Sequence, residues 1–132
     1  LERMLAVVSI WTSNRAEALR FADTDDFNAA FDLIIARLRT GALVIVRDGA
    51  LGCHLRVGET RDHVPGFAVK AVDSNGAGDA HAGVFLAVLA SGADARTAAR
   101  RANAAAAIAV TRYGPATAPD AAEIDTFMVS VA

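Results

Sequence analysis

The sequence predicts an α/β fold, a three-layer αβα arrangement with a doubly wound, mostly parallel sheet. Three observations carry this expectation. Short apolar runs at Leu5–Trp11 and Leu43–Val46 suit strands buried on both faces. Segments with apolar residues at helical spacing alternate with those runs, and alternation of this kind implies parallel strands with helices on the faces of the sheet. A glycine turn, Gly76-Ala77-Gly78, joins an extended segment to a long apolar helix.

Taken in order, Leu5–Trp11 reads as a strand bounded by Thr12-Ser13-Asn14. The segment from Asn14 to Ala22 then places Ala18, Leu19 and Ala22 on one helical face. Thr24-Asp25-Asp26 opens a second helix, in which Phe27, Phe31, Ile34, Ile35 and Leu38 recur at helical spacing, and Gly41 stops it. A strand at Leu43–Val46, a turn at 48–52, a return strand at Cys53–Val57 and a second turn at 58–62 follow. After Pro65-Gly66, Phe67–Val72 reads as extended. A long helix then runs to Ser91-Gly92, and Asp94 caps the next, which ends before Gly114-Pro115. An amphipathic helix from about Asp120 to Phe127 closes the order. Alanine crowds the second half, where small side chains let helices pack closely.

Composition narrows the function classes. The 132 residues are 54% hydrophobic and 21% charged, the signature of a folded chain of about one domain. A net charge of -2 offers no basic field for nucleic acid or an anionic membrane. No apolar run approaches the roughly 20 residues that span a bilayer. A single cysteine, Cys53, forms no internal disulfide, so a cytoplasmic location is expected.

The densest chemistry lies at Val72-Asp73-Ser74-Asn75-Gly76-Ala77-Gly78-Asp79. The first amides of a helix lack intrahelical partners and carry the positive end of its dipole, and glycines let an anion approach them. A carboxylate at Asp79 would repel that anion unless it had another task, and acceptance of a proton from an attacking hydroxyl fits. The alternative is a tight turn in which Asp79 serves only to cap a helix. Spacing excludes a Walker A loop, which needs a Lys after the glycines, and a dinucleotide fingerprint, which needs glycine where His81 stands.

The string Asp73–Asp79 resembles the C-terminal signature of the ribokinase-like (PfkB) carbohydrate kinases, Asp-Thr-x followed by Gly-Ala-Gly-Asp. Thr12–Ala18 is similar to the family's Asn-x-x-Glu motif, and Val44–Gly52 to its Val-Thr-x-Gly-x-x-Gly nucleotide loop. Ala102-Asn103-Ala104 through Arg112-x-Gly114 is similar to its alanine-rich helix and following loop. The motifs occur in the family's order and cover essentially the whole chain.

The resemblance implies that Asp79 is the catalytic base and that Gly76, Ala77 and Gly78 form the anion hole. It implies that Asn14 and Glu17 help place Mg2+ and the phosphates, Glu17 through water, although the same two residues also suit a capping box. Gly49, Ala50 and Gly52 would let ATP lie against the backbone. Arg47 and Asp48 depart from the pattern, standing where a Thr and an apolar residue are common. Arg47 either reaches the phosphates or covers the sheet edge, and Asn103 either contacts the nucleotide or links helices. Asp73, Asn75, Ala109, Arg112 and Gly114 match by position a K+ site that many members use, with Pro115 a departure there. His81, Cys53 and His54 read as packing or surface residues.

The expectation is therefore an ATP-dependent sugar kinase, of which residues 1–132 are the C-terminal ATP-binding and catalytic part, with the N-terminal substrate half and lid absent. Its partners would be ATP and a small sugar. An exposed apolar strand edge would favour a homodimer or association with the missing half. Two alternatives stay open: a nucleotide-binding fragment inactive alone, and a nucleoside kinase of the adenosine type.

Overall fold

A computed structural model describes residues 1–132. The chain forms two compact units, Leu1–Gly49 with Cys53–His63, and Ala50–Gly52 with Val64–Ala132.

The first unit is built on a four-stranded sheet with strands in the order β1-β2-β3-β4. Strand β1 (Ile10–Asn14) runs parallel to β2 (Leu43–Arg47), with Ile10 opposite Leu43 and Asn14 opposite Arg47. Strand β2 runs antiparallel to β3 (Gly52–Val57), with Val44 opposite Arg56, and β4 (Thr60–Pro65) lies at the far edge. The crossover between the parallel strands carries α2 (Arg15–Ala22) and α3 (Phe27–Arg37), and a single helical turn, α1 (Glu2–Leu5), precedes β1. Leu5, Ala18, Phe31, Ile34, Val44 and Val46 belong to one buried cluster, with Trp11 and Phe21 packed against it. The α/β class is as expected, with the parallel part confined to β1 and β2.

Two expectations in this unit are corrected. The first strand, Ile10–Asn14, begins five residues and ends three residues later than Leu5–Trp11, because the Leu1 carbonyl accepts from the Met4 and Leu5 amides and winds the start of that run into a helical turn. The polar stretch Thr12-Ser13-Asn14 completes β1, and the buried Ser13 hydroxyl accepts from Trp11 Nε1 at 2.9 Å. In addition, Thr60–Pro65 is a strand, where a turn was expected at 58–62. Its polar sequence fits an edge strand, where charged side chains deter pairing with another chain.

The second unit holds α4 (Ala77–Ala90), α5 (Ala95–Val110) and α6 (Ala121–Ser130). Ala98, Ala99, Ala102, Ala104 and Ala105 are fully buried along α5, and Ile108 and Ile124 join the α5–α6 core with Phe67 and Phe127 against them. Phe67–Val72 forms no strand. Phe67 is fixed instead by an edge-on contact with Phe127, ring centroids 5.3 Å apart, and the Val72 and Asp73 amides both donate to the Val110 carbonyl. Side chains cap α2, α3, α5 and α6 through Asn14, Asp26, Asp94 and Asp120. The single turn α1 and the long helix α4 have no side-chain cap, the N-cap of α4 being Gly76.

Candidate functional site

In the second unit, the turn at 73–79 is held from outside by one carboxylate. Asp73 Oδ1 accepts from the Asn75 amide and Oδ2 from the Gly114 amide, each at 2.9 Å, so the residue ties the turn to the loop that follows α5. The Asn75 and Gly114 amides hold the Asp73 carboxyl below the usual carboxylate range. A depressed carboxylate contributes stability that is present above its unfolded value near 3.8 and lost as pH falls through the lower folded value. Asp73→Asn should therefore lower the melting temperature at neutral pH and flatten its decline as pH falls through and below 3.8, as read by melts across the acid range. An unchanged acid limb would show that the clasp carries no such weight.

Gly76 opens α4 at φ +77°, and a Cβ there would overlap the Pro115 backbone carbonyl. The position demands glycine for both conformation and space. Gly76, Ala77 and Gly78 are half-buried, and Asp79 is exposed in the first turn of α4. No side chain caps α4 and its first residues are small, so an anion can approach the backbone there, where the Ala77 amide donates to the Ser74 carbonyl at 3.4 Å.

In the first unit, the predicted residues cluster at the carboxyl ends of the two parallel strands, where α/β sheets bind ligands. Asn14 and Arg47 are register partners there. Asn14 Oδ1 accepts from the Glu17 amide at 2.8 Å, and Glu17 Oε2 accepts from the Asn14 amide at 2.7 Å, a complete capping box. Arg47 Nη2 stands 3.7 Å from the same Oε2. Glu17 Oε1 takes no part in these contacts, and the side chain is about half exposed, so it can meet a hydrated cation. The turn that follows β2 begins with Asp48 and Gly49, whose φ is +58°.

The remainder of that turn belongs to the second unit. Gly52 has φ +101°, and a Cβ would overlap the Val64 carbonyl, while the Leu51 carbonyl accepts from the Gly66 amide at 3.1 Å. Ala50 is exposed. Asn103 is buried on α5: its Nδ2 donates to the Val64 and Pro65 carbonyls at 2.9 and 3.1 Å, and its Oδ1 lies 3.0 Å from His81 Nε2 of α4. All its polar atoms thus serve contacts within the fold.

The positions matched to a cation site are already engaged by donors. Both Asp73 oxygens hold amides, and the Ala109 carbonyl accepts from the Arg112 amide and Thr117 Oγ1. Arg112 donates through Nη1 to the Thr117 carbonyl and pairs through Nη2 with Glu123. No group of three or more His, Cys, Asp or Glu side chains gathers to hold a metal, and no helix is long and apolar enough to cross a membrane.

The sequence marks Asp48 only as a departure from the pattern, and neither its links to Arg15 and His54 nor the Asp73 link to Gly114 was legible there. Both join residues more than five positions apart by side-chain geometry, and no local spacing signals such a link.

Comparison with known proteins agrees with the motifs. The chain is 41% identical over 114 residues to the bifunctional protein HldE of Rhodopseudomonas palustris, covering 82% of this chain and 23% of that protein. An E. coli protein assigned as a ribokinase II, solved in complex with ATP and Mg2+, superposes with a TM-score of 0.87 at 30% identity. That match covers 98% of this chain and 42% of the other. Aminoimidazole riboside kinase from Salmonella enterica, solved with aminoimidazole riboside and an ATP analogue, gives 0.86 at 30% identity over 96% of this chain and 44% of the other. The chain spans less than half the length of each of these proteins. The pfkB family carbohydrate kinase pattern matches residues 1–122, and the chain belongs to that family.

Proposed function

We propose that residues 1–132 are the ATP-binding, catalytic part of a cytoplasmic kinase that transfers the γ-phosphoryl group of ATP to a sugar hydroxyl. The observation that supports this most is the start of α4, where Gly76 is required by both φ and space, no side chain caps the helix, and Asp79 stands exposed in the first turn. Gly76, Ala77 and Gly78 present backbone to the charge that develops on the transferred group. Asp79 accepts the proton of the attacking hydroxyl and keeps that oxygen oriented. Gly49, Ala50 and Gly52 let the nucleotide lie close to the backbone.

Mg2+, when bound, neutralises phosphate charge, and Glu17 with Asn14 would hold it through water, as suits a cation that sheds its hydration reluctantly. Arg47, paired with Glu17, extends toward the phosphates in this reading. Asn103 positions α4 through His81 and takes no nucleotide contact. Potassium has no part in the proposal.

A nucleoside acceptor is the second reading, favoured by the likeness to the riboside kinase, which nearly equals that to the ribokinase II. A third is nucleotide binding without turnover by this chain alone. Calorimetry with ATP and Mg2+, run beside a coupled phosphotransfer assay over sugars and nucleosides, separates the three. Binding by this chain, with turnover on a sugar by the longer protein that contains it, is the expected result. Turnover on nucleosides alone would select the second reading, and absence of ATP binding would overturn all three.

A further inference from the structure

Asp48 stands where β2 ends and the turn containing Gly49 begins. Its side chain is only 13% exposed, and one oxygen, Oδ2, accepts from Arg15 Nη1 at 3.0 Å while facing His54 Nε2 at 3.3 Å. Both partners are themselves held. The Arg15 guanidinium lies 4.4 Å over the Phe27 ring, and the His54 ring centroid lies 4.6 Å from that of Phe27 and 4.9 Å from that of His63. One carboxylate therefore ties α2 and β3 to the residue directly before Gly49.

Exposed ion pairs contribute little, because water screens them and long side chains lose freedom in forming them. This carboxylate differs on both counts, being largely withdrawn from water and met by a guanidinium already stacked on an aromatic face. Gly49, at φ +58°, has no side chain of its own to fix its direction, and a Cβ there would meet nothing within 4 Å. Gly49 opens a short 3-10 turn, Gly49–Leu51, and Asp48 is the residue through which side chains of α2 and β3 hold the start of that turn. A turn ordered before the ligand arrives avoids the ordering cost at binding, which strengthens affinity without altering the chemical step.

We propose that Asp48 is a positioning residue for ATP, acting through Arg15 and His54 to hold the turn at Gly49 in its binding conformation. The inference rests on the reading that this turn carries the nucleotide. Asp48→Asn keeps the shape and removes the charge, and should weaken ATP affinity by about tenfold, a change of about 1.4 kcal/mol. Arg15→Gln, at a side chain 44% exposed and so tolerant of change, should produce a similar loss. The double variant should lose little more than either single one, since both remove the same link.

The experiment is calorimetry of ATP and Mg2+ against the wild-type chain and these three variants, with kcat and KM for ATP measured in the longer protein that contains the chain. Raised KM with kcat within about twofold of wild type supports the proposal. Losses that add in the double variant, or ATP affinity equal to wild type in Arg15→Gln, overturn it while leaving the nucleotide reading intact. Failure of the wild-type chain to bind ATP overturns that reading and this proposal together. If Asp48→Asn does not fold, Arg15→Gln alone decides.

Discussion

Replacing Asp79 with Asn should lower turnover by at least about a hundredfold, the scale of a positioned general base, while ATP affinity stays within a few-fold of wild type. The exchange keeps the size of the side chain and leaves the glycine turn untouched. It removes the only group in the first turn of α4 that can take a proton from an incoming hydroxyl. A hundredfold corresponds to about 2.7 kcal/mol of barrier. Loss of a negative charge at a helix start costs about 0.3–1 kcal/mol of stability at an exposed site, so folding should survive. The comparison reads kcat by a coupled assay and nucleotide affinity by calorimetry. Undiminished turnover would remove Asp79 from the mechanism.

Gly76→Ala should be the most damaging single substitution at the turn. The new Cβ would be forced into left-handed backbone at φ +77° and against the Pro115 carbonyl, which is main chain and cannot swing aside like a side-chain tip. We expect a loss of about 2–4 kcal/mol, the strain and the displacement adding, with weaker ATP binding in whatever fraction remains folded. Gly83→Ala on the same helix is the control. A Cβ there meets nothing within 4 Å, so the exchange should be neutral or stabilise the helix by up to about 1 kcal/mol. Chemical denaturation of the pair reads the contrast directly. Equal stability of the two variants would mean that the turn yields easily and that glycine at 76 serves another purpose.

The elements that sequence reading located well are those whose signals are local. Asp26, Asp94 and Asp120 are capping residues recognisable from their own neighbourhoods, and each does cap its helix. The glycine turn likewise announces itself by composition, and the Asn14–Glu17 box by a spacing of three. Reading failed where pairing across the chain decides. The run Leu5–Trp11 has the composition of a strand, yet its first residue winds into a helical turn and buries against α2 and α3 neighbours such as Ala18 and Ile34. Thr60–Pro65 has a polar composition and is nonetheless a strand, because β3 offers it an edge. Of the candidate site, the residue types and their positions on loops and helix starts were legible. The Arg15–Asp48–His54 link and the double use of the Asp73 carboxylate were not, since each depends on where distant backbone segments come to rest.

The Asp73 carboxylate also has a dynamic consequence. Its two oxygens hold the amides of Asn75, in the turn before α4, and Gly114, in the loop after α5, while the Val72 and Asp73 amides share the Val110 carbonyl. Neither segment can detach while the other stays in place without leaving a charge or a carbonyl short of its donors. Hydrogen exchange should therefore find the amides of the two loops opening together at a common free energy, and independent exchange would show that they open separately. Substitutions that displace the Gly114 amide should therefore loosen the turn before α4, read as faster exchange of the Asn75 amide.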